Sequence, residues 1–427
     1  MSSPKIVLSA DIGTSSLKAG FVDIGAAASG RPRLLAFVRE PYPPEISPEL
    51  VEGRHVKLPC TEWESAFRRA LAALFGKLPD AHIEAICISG NGPTLVPVQK
   101  NGSAALPLYW FGKTETPAGM KSFFLPHVLW FMHKYPAQYE QTAAFYSCQE
   151  WLATRLGAAP VTVLPTPAYT PYYWDEPQCA AAGGGIAGGK LLPFAPLASI
   201  IGKTSPEAER RFGLKQGIPI VAGGPDFVMA LLGTATVKPG LVCDRAGSSE
   251  GINVCLAGSG GDGVAGKNPQ LRLLPHPIDG LWNVSVVLPE SGSIFERWRD
   301  DNGFADKKYD ELLAELIPDG ARHFSSSFSN ADVHPVLLQI AGQVKGAVDS
   351  LRAAGIPVSE MRLSGGQAKS PRWNKLKAAI SNTVLLAPEI LDGELTGNAA
   401  AAMLALGEAA TLSEACINLV VINERYY

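Results

Sequence analysis

A short segment near the amino terminus, Asp11-Ile-Gly-Thr-Ser-Ser-Leu-Lys18, combines residue types that can bind phosphate and a metal ion. Gly13, Thr14 and Ser15 supply a tight turn rich in N–H and hydroxyl donors, which suit phosphate oxygens. Asp11 supplies a carboxylate for a Mg²⁺ ion or its water shell, and Lys18 supplies a nearby cation. The same residues also suit a surface hairpin, with Lys18 as a solvated strand residue, so this segment alone leaves both interpretations open.

A second glycine-hydroxyl turn, Gly247-Ser-Ser-Glu-Gly251, lies in the second half of the chain. The apolar runs 241–244 and 252–256 predict a strand on each side of it, as in the first segment. Gly247 and Ser248 are therefore candidate phosphate contacts. Such turns are also common without any function, so the repetition is only a weak internal echo.

Asp226 follows a predicted strand, residues 218–222, and the pair Gly223-Gly224. A carboxylate at the start of the helix predicted after it stays ionised easily, because the helix dipole favours negative charge there. Such a group can accept a proton from an attacking hydroxyl as a general base. On residue type and position alone, a helix cap is the favoured role.

The run Gly184-Gly-Ile-Ala-Gly-Gly-Lys190 matches the opening of a P-loop, but Leu191 stands where that motif needs Ser or Thr for Mg²⁺. No strand is predicted before the run, which we interpret as a loop. The chain also has no Gly-x-Gly-x-x-Gly that lies between a predicted strand and a predicted helix, so a dinucleotide-binding site is not supported.

Two helical regions are predicted in the first half of the chain. Thr61 and Glu64 predict a capping box, and apolar residues follow them at helical spacing. Residues 125–156 are also predicted to be helical, with an interruption at Pro136.

The 427 residues suffice for two domains. The punctuated link Val237-Lys-Pro-Gly240 predicts a boundary there, giving domains over residues 1–237 and 238–427.

Composition limits the function classes. The net charge of −3 gives no sign of a nucleic-acid or membrane partner. Neither a signal peptide nor a run of about 18 apolar residues is present in the sequence. The seven cysteines are scattered without a Cys-x-x-Cys pair, which is typical of free thiols in a reducing compartment. These features predict a cytoplasmic protein.

Taken in order, these segments resemble the motifs of the FGGY carbohydrate kinases, which belong to the actin/hexokinase/Hsp70-like ATPase superfamily. The resembling segments are residues 11–18 (first phosphate motif), 218–233 (catalytic aspartate), 237–249 (linker and second phosphate motif), 291–298 (a helix start near the terminal phosphates), 363–374 (adenosine motif) and the small-residue helix from 397.

The resemblance implies an α/β fold of two duplicated ribonuclease H-like (actin-like ATPase) domains with a cleft between them. The first would bind the sugar and carry the catalytic aspartate, and the second, shortened, would bind the nucleotide. The implied activity is ATP-dependent phosphorylation of a small carbohydrate, a ketose such as a pentulose or a polyol, with ATP and Mg²⁺ as cofactors. The implied partner is a small-molecule sugar, without nucleic acid or membrane, and a homodimer is one assembly that it allows.

On this resemblance, Asp226 is the general base and also contacts the sugar, and Asp11 holds Mg²⁺ through water. An ordinary strand-to-helix turn remains the alternative for Gly365-Gly366. The residues implied to bind the nucleotide or its phosphates are Gly13, Thr14, Ser15, Lys18, Gly247, Ser248, Gly292, Gly365, Gly366, Lys369 and Ser370. The further residues implied to bind the sugar are Asn91, Thr94 and Trp110.

The sugar side departs from the family pattern. Pentulose kinases tend to carry Gly-Gln-Met-His-Gly where this chain has Gly90-Asn-Gly-Pro-Thr94, and the missing histidine puts a xylulose substrate in doubt. Trp110 remains from a Trp-x-Asp-x-Arg pattern whose charges are lost, and structural packing is an equal alternative for its role.

The second domain departs as well, because a segment is missing around residues 303–333. Arg245 and Glu250 are unusual charges beside the second turn: Arg245 either contacts phosphate or pairs with Glu250. These departures motivate an alternative function, a non-catalytic sugar- or nucleotide-binding protein that retains the fold. A chaperone-like ATPase is not expected, since we expect no room for a peptide-binding domain before Tyr427.

Overall fold

The computed structural model describes residues 3–25, 33–43, 50–51, 54–55, 60–104, 116–181, 188–247, 249–258, 268–317 and 333–427. The chain divides into two compact units. Unit 1 comprises Met1–Met229 with Glu394–Leu419, and unit 2 comprises Ala230–Gly393 with Val420–Tyr427.

The described elements alternate between strands and helices. The strands are β1 Ile6–Ile12, β2 Ser16–Asp23, β3 Arg33–Pro41, β4 Leu50–Val51, β5 Arg54–His55, β6 Ile83–Gly90, β7 Val96–Gln99, β8 Thr142–Tyr146, β9 Thr162–Leu164, β10 Phe194–Pro196, β11 Ile200–Lys203, β12 Pro219–Val221, β13 Val242–Ala246, β14 Glu250–Ala257, β15 Arg272–Pro275, β16 Leu281–Leu288, β17 Glu360–Ser364, β18 Val384–Pro388 and β19 Ile422–Tyr426. The helices are α1 Cys60–Lys77, α2 Leu125–Lys134, α3 Pro136–Gln141, α4 Cys148–Leu156, α5 Thr170–Tyr173, α6 Glu176–Ala181, α7 Pro206–Phe212, α8 Asp226–Gly233, α9 Ser291–Asp301, α10 Tyr309–Leu316, α11 Pro335–Ala353, α12 Pro371–Ser381, α13 Gly393–Ala405 and α14 Leu412–Leu419.

The sheet of unit 1 has six strands in the order β11-β12-β6-β1-β2-β3. Strand β1 pairs antiparallel with β2 and parallel with β6, and every residue of β1 is buried. Such a continuous buried run fits a central strand that is covered on both faces. Apolar residues of α1 pack in the same core, among them Trp63, Phe67 and Leu74.

The sheet of unit 2 repeats this plan. Its order is β15-β16-β14-β13-β17-β18-β19. Strands β13 and β14 pair antiparallel as β1 and β2 do, β17 is parallel to β13 as β6 is to β1, and β18 is parallel to β17 as β12 is to β6. The antiparallel edge pairs β18–β19 and β12–β11 also correspond. The two duplicated α/β domains expected from the motifs are therefore confirmed. The similarity between the two turns is part of a repeat that includes the whole sheet.

Two further expectations bear on the class of protein. Among the residues that the structure describes, no helix is both long enough and apolar enough to cross a membrane. All seven cysteines are free thiols, and six of them are buried.

Candidate active site

The turn between β1 and β2 holds the first candidate phosphate contacts. The N–H of Gly13 donates to the carbonyl of Ser16 at 3.0 Å, which closes the turn. A Cβ on Gly13 would lie 2.9 Å from that carbonyl oxygen, so a side chain there would force the turn to shift. Thr14 is half-buried and Ser15 is exposed, which leaves the turn accessible to a ligand.

Asp11, at the carboxyl end of β1, is a buried carboxyl group that the fold orients. The register of the sheet places it opposite Lys18 of β2 and Ser89 of β6. The Ser89 hydroxyl donates to Oδ1 of Asp11 at 2.8 Å. Ser89 is held in turn by the side-chain amide of Asn398, which donates to the Ser89 hydroxyl at 3.1 Å and to the carbonyl of Ala10 at 2.8 Å.

The electrostatic surroundings of Asp11 oppose its ionisation. Burial, followed by the negative charge of Glu394, raises the pKa of Asp11 to about 7, although the charge of Lys18 acts in the opposite direction. The charge of Asp226 also raises this pKa. Asp11 therefore lies within an excess of negative charge that a bound cation would relieve.

Glu394 belongs to this site, although the sequence analysis did not single it out. It lies in the first turn of α13 and is buried, and its carboxylate is 3.7 Å from the ammonium of Lys18. The side chain of Lys18 is only 20% exposed, so Lys18 is not the solvated strand residue of the alternative interpretation. A small-residue helix is predicted only from Gly397, so Glu394 lies outside its predicted bounds, and its contact with Lys18 joins segments that are distant in sequence.

The donor set fits Mg²⁺. No cluster of three or more His, Cys, Asp or Glu side chains in the described part of the chain could hold a metal by itself. Mg²⁺ usually retains several waters and binds one or two carboxylates together with substrate phosphates. Asp11, beside a turn that offers phosphate donors, suits that mode.

Asp226 begins α8, close to the end of β6. Pro225 forms an isolated parallel bridge with Gly90, and the N–H of Gly90 donates to the carbonyl of Gly224 at 3.4 Å. A Cβ on Gly223 would lie 2.1 Å from the carbonyl oxygen of Ile88, so this approach requires glycine. The half-buried carboxylate of Asp226 accepts a hydrogen bond from the N–H of Phe227 at 2.7 Å. A contact at the helix start and a catalytic role are thus compatible.

The candidate sugar contacts adjoin the same turn. The N–H of Asn91 donates to the carbonyl of Ile12 at 2.7 Å, and its side-chain amide donates to the Thr14 hydroxyl. Oδ1 of Asn91 is buried and has no hydrogen-bond partner among the described residues, so it can accept a bond from a substrate hydroxyl. Thr94 is fully buried and donates to the carbonyl of Asn91 at 2.6 Å. Trp110 lies outside the described residues.

The candidate nucleotide segments of unit 2 lie in its sheet and helix starts. The N–H of Gly247 donates to the carbonyl of Ser249 at 2.9 Å, and Gly292 is buried in the first turn of α9. Gly365 has a φ of +100°, and a Cβ there would lie 2.3 Å from the carbonyl oxygen of Ala246. This glycine therefore allows β17 to pass close to the end of β13. Gly366 is exposed, and Ser248 lies outside the described residues.

Lys369 and Ser370 have partners within the protein. The ammonium of Lys369 lies 2.8 Å from the carboxylate of Asp392. The Ser370 hydroxyl caps α12 by accepting a bond from the N–H of Trp373. Their contact with adenosine stays a prediction.

Arg245 and Glu250, the charged residues beside the second turn, are not placed for the salt bridge considered as one alternative. Glu250 is buried, lies 3.0 Å from the ammonium of Lys377 and accepts a hydrogen bond from Ser291. The register places Glu250 opposite Ala246 and Arg245 opposite Gly251. Since adjacent rows face opposite sides of a sheet, Arg245 and Glu250 point to different faces.

Comparison with known proteins gives a consistent result. Residues 111–233 match the N-terminal domain, and residues 300–406 the C-terminal domain, of the FGGY family of carbohydrate kinases, which together is more than half of the chain. Curated relatives include autoinducer-2 kinases from Yersinia enterocolitica (24% identical, 66% of this chain and 61% of the relative) and Escherichia coli K12 (24% identical, 69% and 63%). The chain thus spans about three fifths of the length of these curated relatives.

Solved structures share the fold at low sequence identity. A gluconate kinase from Lactobacillus acidophilus aligns with a TM-score of 0.75 and 17% identity, over 100% of this chain and 94% of its own. A xylulose kinase from the same organism gives 0.74 and 17%, over 99% and 94%. A glycerol kinase with ADP from Plasmodium falciparum gives 0.73 and 16%, again over 99% and 94%.

Proposed function

Because the chain belongs to the FGGY family of carbohydrate kinases, we propose that it transfers the terminal phosphoryl group of ATP to a hydroxyl of a small neutral ketose or polyol. Asp226 acts as the general base. The observation that supports this best is the geometry of unit 1, where the bridge between Pro225 and Gly90 places the start of α8, with Asp226, at the end of β6, and Ser89 of β6 binds Asp11. A proton acceptor and a candidate metal-binding carboxylate thus flank a turn that offers phosphate donors.

The proposed step uses few groups. The acceptor hydroxyl gives its proton to Asp226 while its oxygen forms a bond to the terminal phosphorus, the bond between that phosphorus and the bridging oxygen breaks, and ADP leaves. Bound Mg²⁺ would neutralise charge on the phosphates. Asp11 would hold it through water, the donors around Gly13 would contact phosphate oxygens, and Asn91 would orient the acceptor through its free Oδ1.

The electrostatics of unit 1 favour an uncharged acceptor. Asp11, Asp226 and Glu394 contribute negative charge, against which Lys18 supplies the positive charge that acts on Asp11. A carboxylate on the acceptor would be repelled in such a site. The names of the relatives suggest autoinducer-2, xylulose and glycerol as acceptors to test, and gluconate as the charged comparison. No observation favours the non-catalytic alternative, and a cytoplasmic location and a homodimer stay predictions.

The test is a panel assay with Mg·ATP in which ADP and phosphorylated acceptor are both measured. We expect turnover of at least one uncharged acceptor and poor turnover of gluconate. Asp226→Asn should lower kcat by about 10²- to 10⁴-fold while ADP binding persists, because the variant loses only the proton acceptor. A near-normal rate in this variant would remove Asp226 from the mechanism. ATP hydrolysis without phosphorylated acceptor on every sugar would contradict the proposed function.

A further inference from the structure

Unit 2 contains a lysine that is fully enclosed by protein. Lys377 lies on α12, and its ammonium contacts the carboxyl groups of Asp244 on β13 and of Glu250 on β14. The side chains of all three residues are 0% exposed. Lysine is almost never buried to this extent unless it is paired, and none of the three residues was among the expected site residues.

The three groups influence one another's ionisation. Burial, together with the charge of Glu250, raises the pKa of Asp244 well above its usual value despite the opposing charge of Lys377. Burial also opposes ionisation of Glu250, but the charge of Lys377 and hydrogen bonds from its neighbours outweigh burial and lower the pKa of Glu250. The ammonium of Lys377 is therefore shared by two buried carboxyl groups, and burial favours the protonated form of Asp244.

The cluster is connected to the candidate nucleotide segments by hydrogen bonds. The hydroxyl of Ser291 donates to Oε2 of Glu250. The side-chain amide of Gln367 contacts the same hydroxyl at 3.3 Å and donates to the carbonyl of Gly247 at 3.0 Å. Gly247 is itself a candidate phosphate contact, Ser291 precedes Gly292, and Gln367 follows Gly366. One connected set of side chains thus joins the three segments.

A stabilising role does not explain this arrangement, because buried ion pairs are often no more stabilising than apolar residues of similar volume. What hydrogen-bonded charges provide is direction, since each donor and acceptor must lie at a fixed place. We propose that Lys377, with Asp244 and Glu250, positions the nucleotide-binding segments of unit 2 through Ser291 and Gln367, and so sets the affinity for ATP without touching it. This inference rests on the proposed function only in assigning the nucleotide to these segments.

The link can be cut at Ser291 without leaving a buried charge unpaired. We expect Ser291→Ala to weaken ADP binding, measured by calorimetry on the full chain, by about tenfold, the effect of roughly one hydrogen bond. The KM for ATP should rise in parallel, whereas the KM for the acceptor should stay within about twofold, a split that a general loss of stability would not produce. Ser285→Ala is the matched control, since Ser285 is also buried in unit 2 and its hydroxyl donates to the main-chain carbonyl of Arg272.

Lys377→Met alone would leave carboxyl groups buried without their cation and is expected to unfold the protein. The triple variant Asp244→Asn/Glu250→Gln/Lys377→Met replaces the charges by neutral groups of similar size. We expect it to fold, to bind ADP about tenfold more weakly, and to lose little more when Ser291→Ala is added, because both changes break the same path.

Wild-type ADP affinity in a folded triple variant, or full additivity with Ser291→Ala, would overturn the inference. Failure of the wild-type chain to bind any nucleotide would contradict this inference and the proposed function together. ADP binding without turnover of any acceptor would contradict the proposed function alone.

Discussion

At the scale of single residues, the candidate site of unit 1 depends on side chains that orient its functional residues through hydrogen bonds. Ser89 and Asn398 contact no predicted ligand, yet Ser89 binds Oδ1 of Asp11 and Asn398 binds Ser89. Asn398 and Glu394 come from the last part of the chain and meet β1 and β2 only after folding. Sequence motifs identified Asp11 because carboxylate, glycine and hydroxyls are adjacent in sequence, but no local pattern predicts a supporting amide from so far along the chain.

The first residue-scale prediction concerns the metal. Asp11→Asn keeps the size and the hydrogen bond capacity but removes the charge that attracts a cation. We expect the Mg²⁺ concentration at half-maximal activity to rise by about 10- to 100-fold. Asp80→Asn, at an exposed site on the loop after α1, is the control and should leave the titration unchanged. An Asp11→Asn enzyme with the normal metal titration would exclude Asp11 as the metal residue.

At the scale of elements, local sequence patterns predicted where helices occur better than the residues at which they begin and end. The capping box predicted at Thr61 and Glu64 is wrong, because α1 already begins at Cys60 and the Glu64 carboxylate pairs with Arg155 and Arg211. The helical region predicted over residues 125–156 is interrupted by strand β8, which pairs with β7. The second error has a physical cause, since the partner strand of β8 lies more than forty residues earlier in the sequence.

The element-scale prediction concerns the approach of α8 to β6. Gly223→Ala would place a methyl group 2.1 Å from the carbonyl oxygen of Ile88, so the strand-to-helix connection must move. Because Asp226 begins that helix, we expect turnover to fall on the order of a hundredfold. The acceptor assay measures this, with Gly76→Ala as control, since a Cβ at Gly76 meets nothing within 4 Å. Normal turnover in Gly223→Ala would show that the position of Asp226 does not matter.

At the scale of the whole molecule, the order of the motifs predicted the duplication, and the matching strand orders confirm it. The sequence did not predict that each unit consists of two separate stretches of the chain. A linear division assigns each domain one stretch of chain, whereas Glu394–Leu419 groups with unit 1. The physical reason lies in packing: a Cβ on Gly397 would lie 2.0 Å from the carbonyl oxygen of Met229, and the Ser9 hydroxyl donates to the carbonyl of Leu395 at 3.0 Å.

Stability as a function of pH gives the prediction at this scale. Burial lowers the pKa of His276 to about 4 from 6.5, although a hydrogen bond to the carbonyl of Thr236 acts in the opposite direction. Nδ1 accepts from the N–H of Ile278, so the folded ring is neutral with its proton on Nε2. The unfolded state therefore binds more protons between pH 4 and 6.5. This contribution to stability is complete above pH 6.5 and is lost as the pH falls towards 4.

The loss amounts to on the order of 3 kcal/mol at the acid end. Urea unfolding at a series of pH values measures this loss of stability in unit 2. His276→Gln is the comparison, because glutamine at position 276 does not titrate. If the wild type and His276→Gln lost stability equally between pH 6.5 and pH 4, His276 would not be the responsible group.

The return of the late helix α13 to the first sheet has a consequence for how the protein is made. A ribosome releases the hairpin with Asp11 and Lys18 early, but Glu394 and Asn398 emerge only after nearly four hundred residues have been translated. Until that later segment has been made, the central strand of the nascent amino-terminal half lacks these partners. A stop codon before position 394 would leave the motifs of that half in place but would remove the contacts of Glu394 with Lys18 and of Asn398 with Ser89.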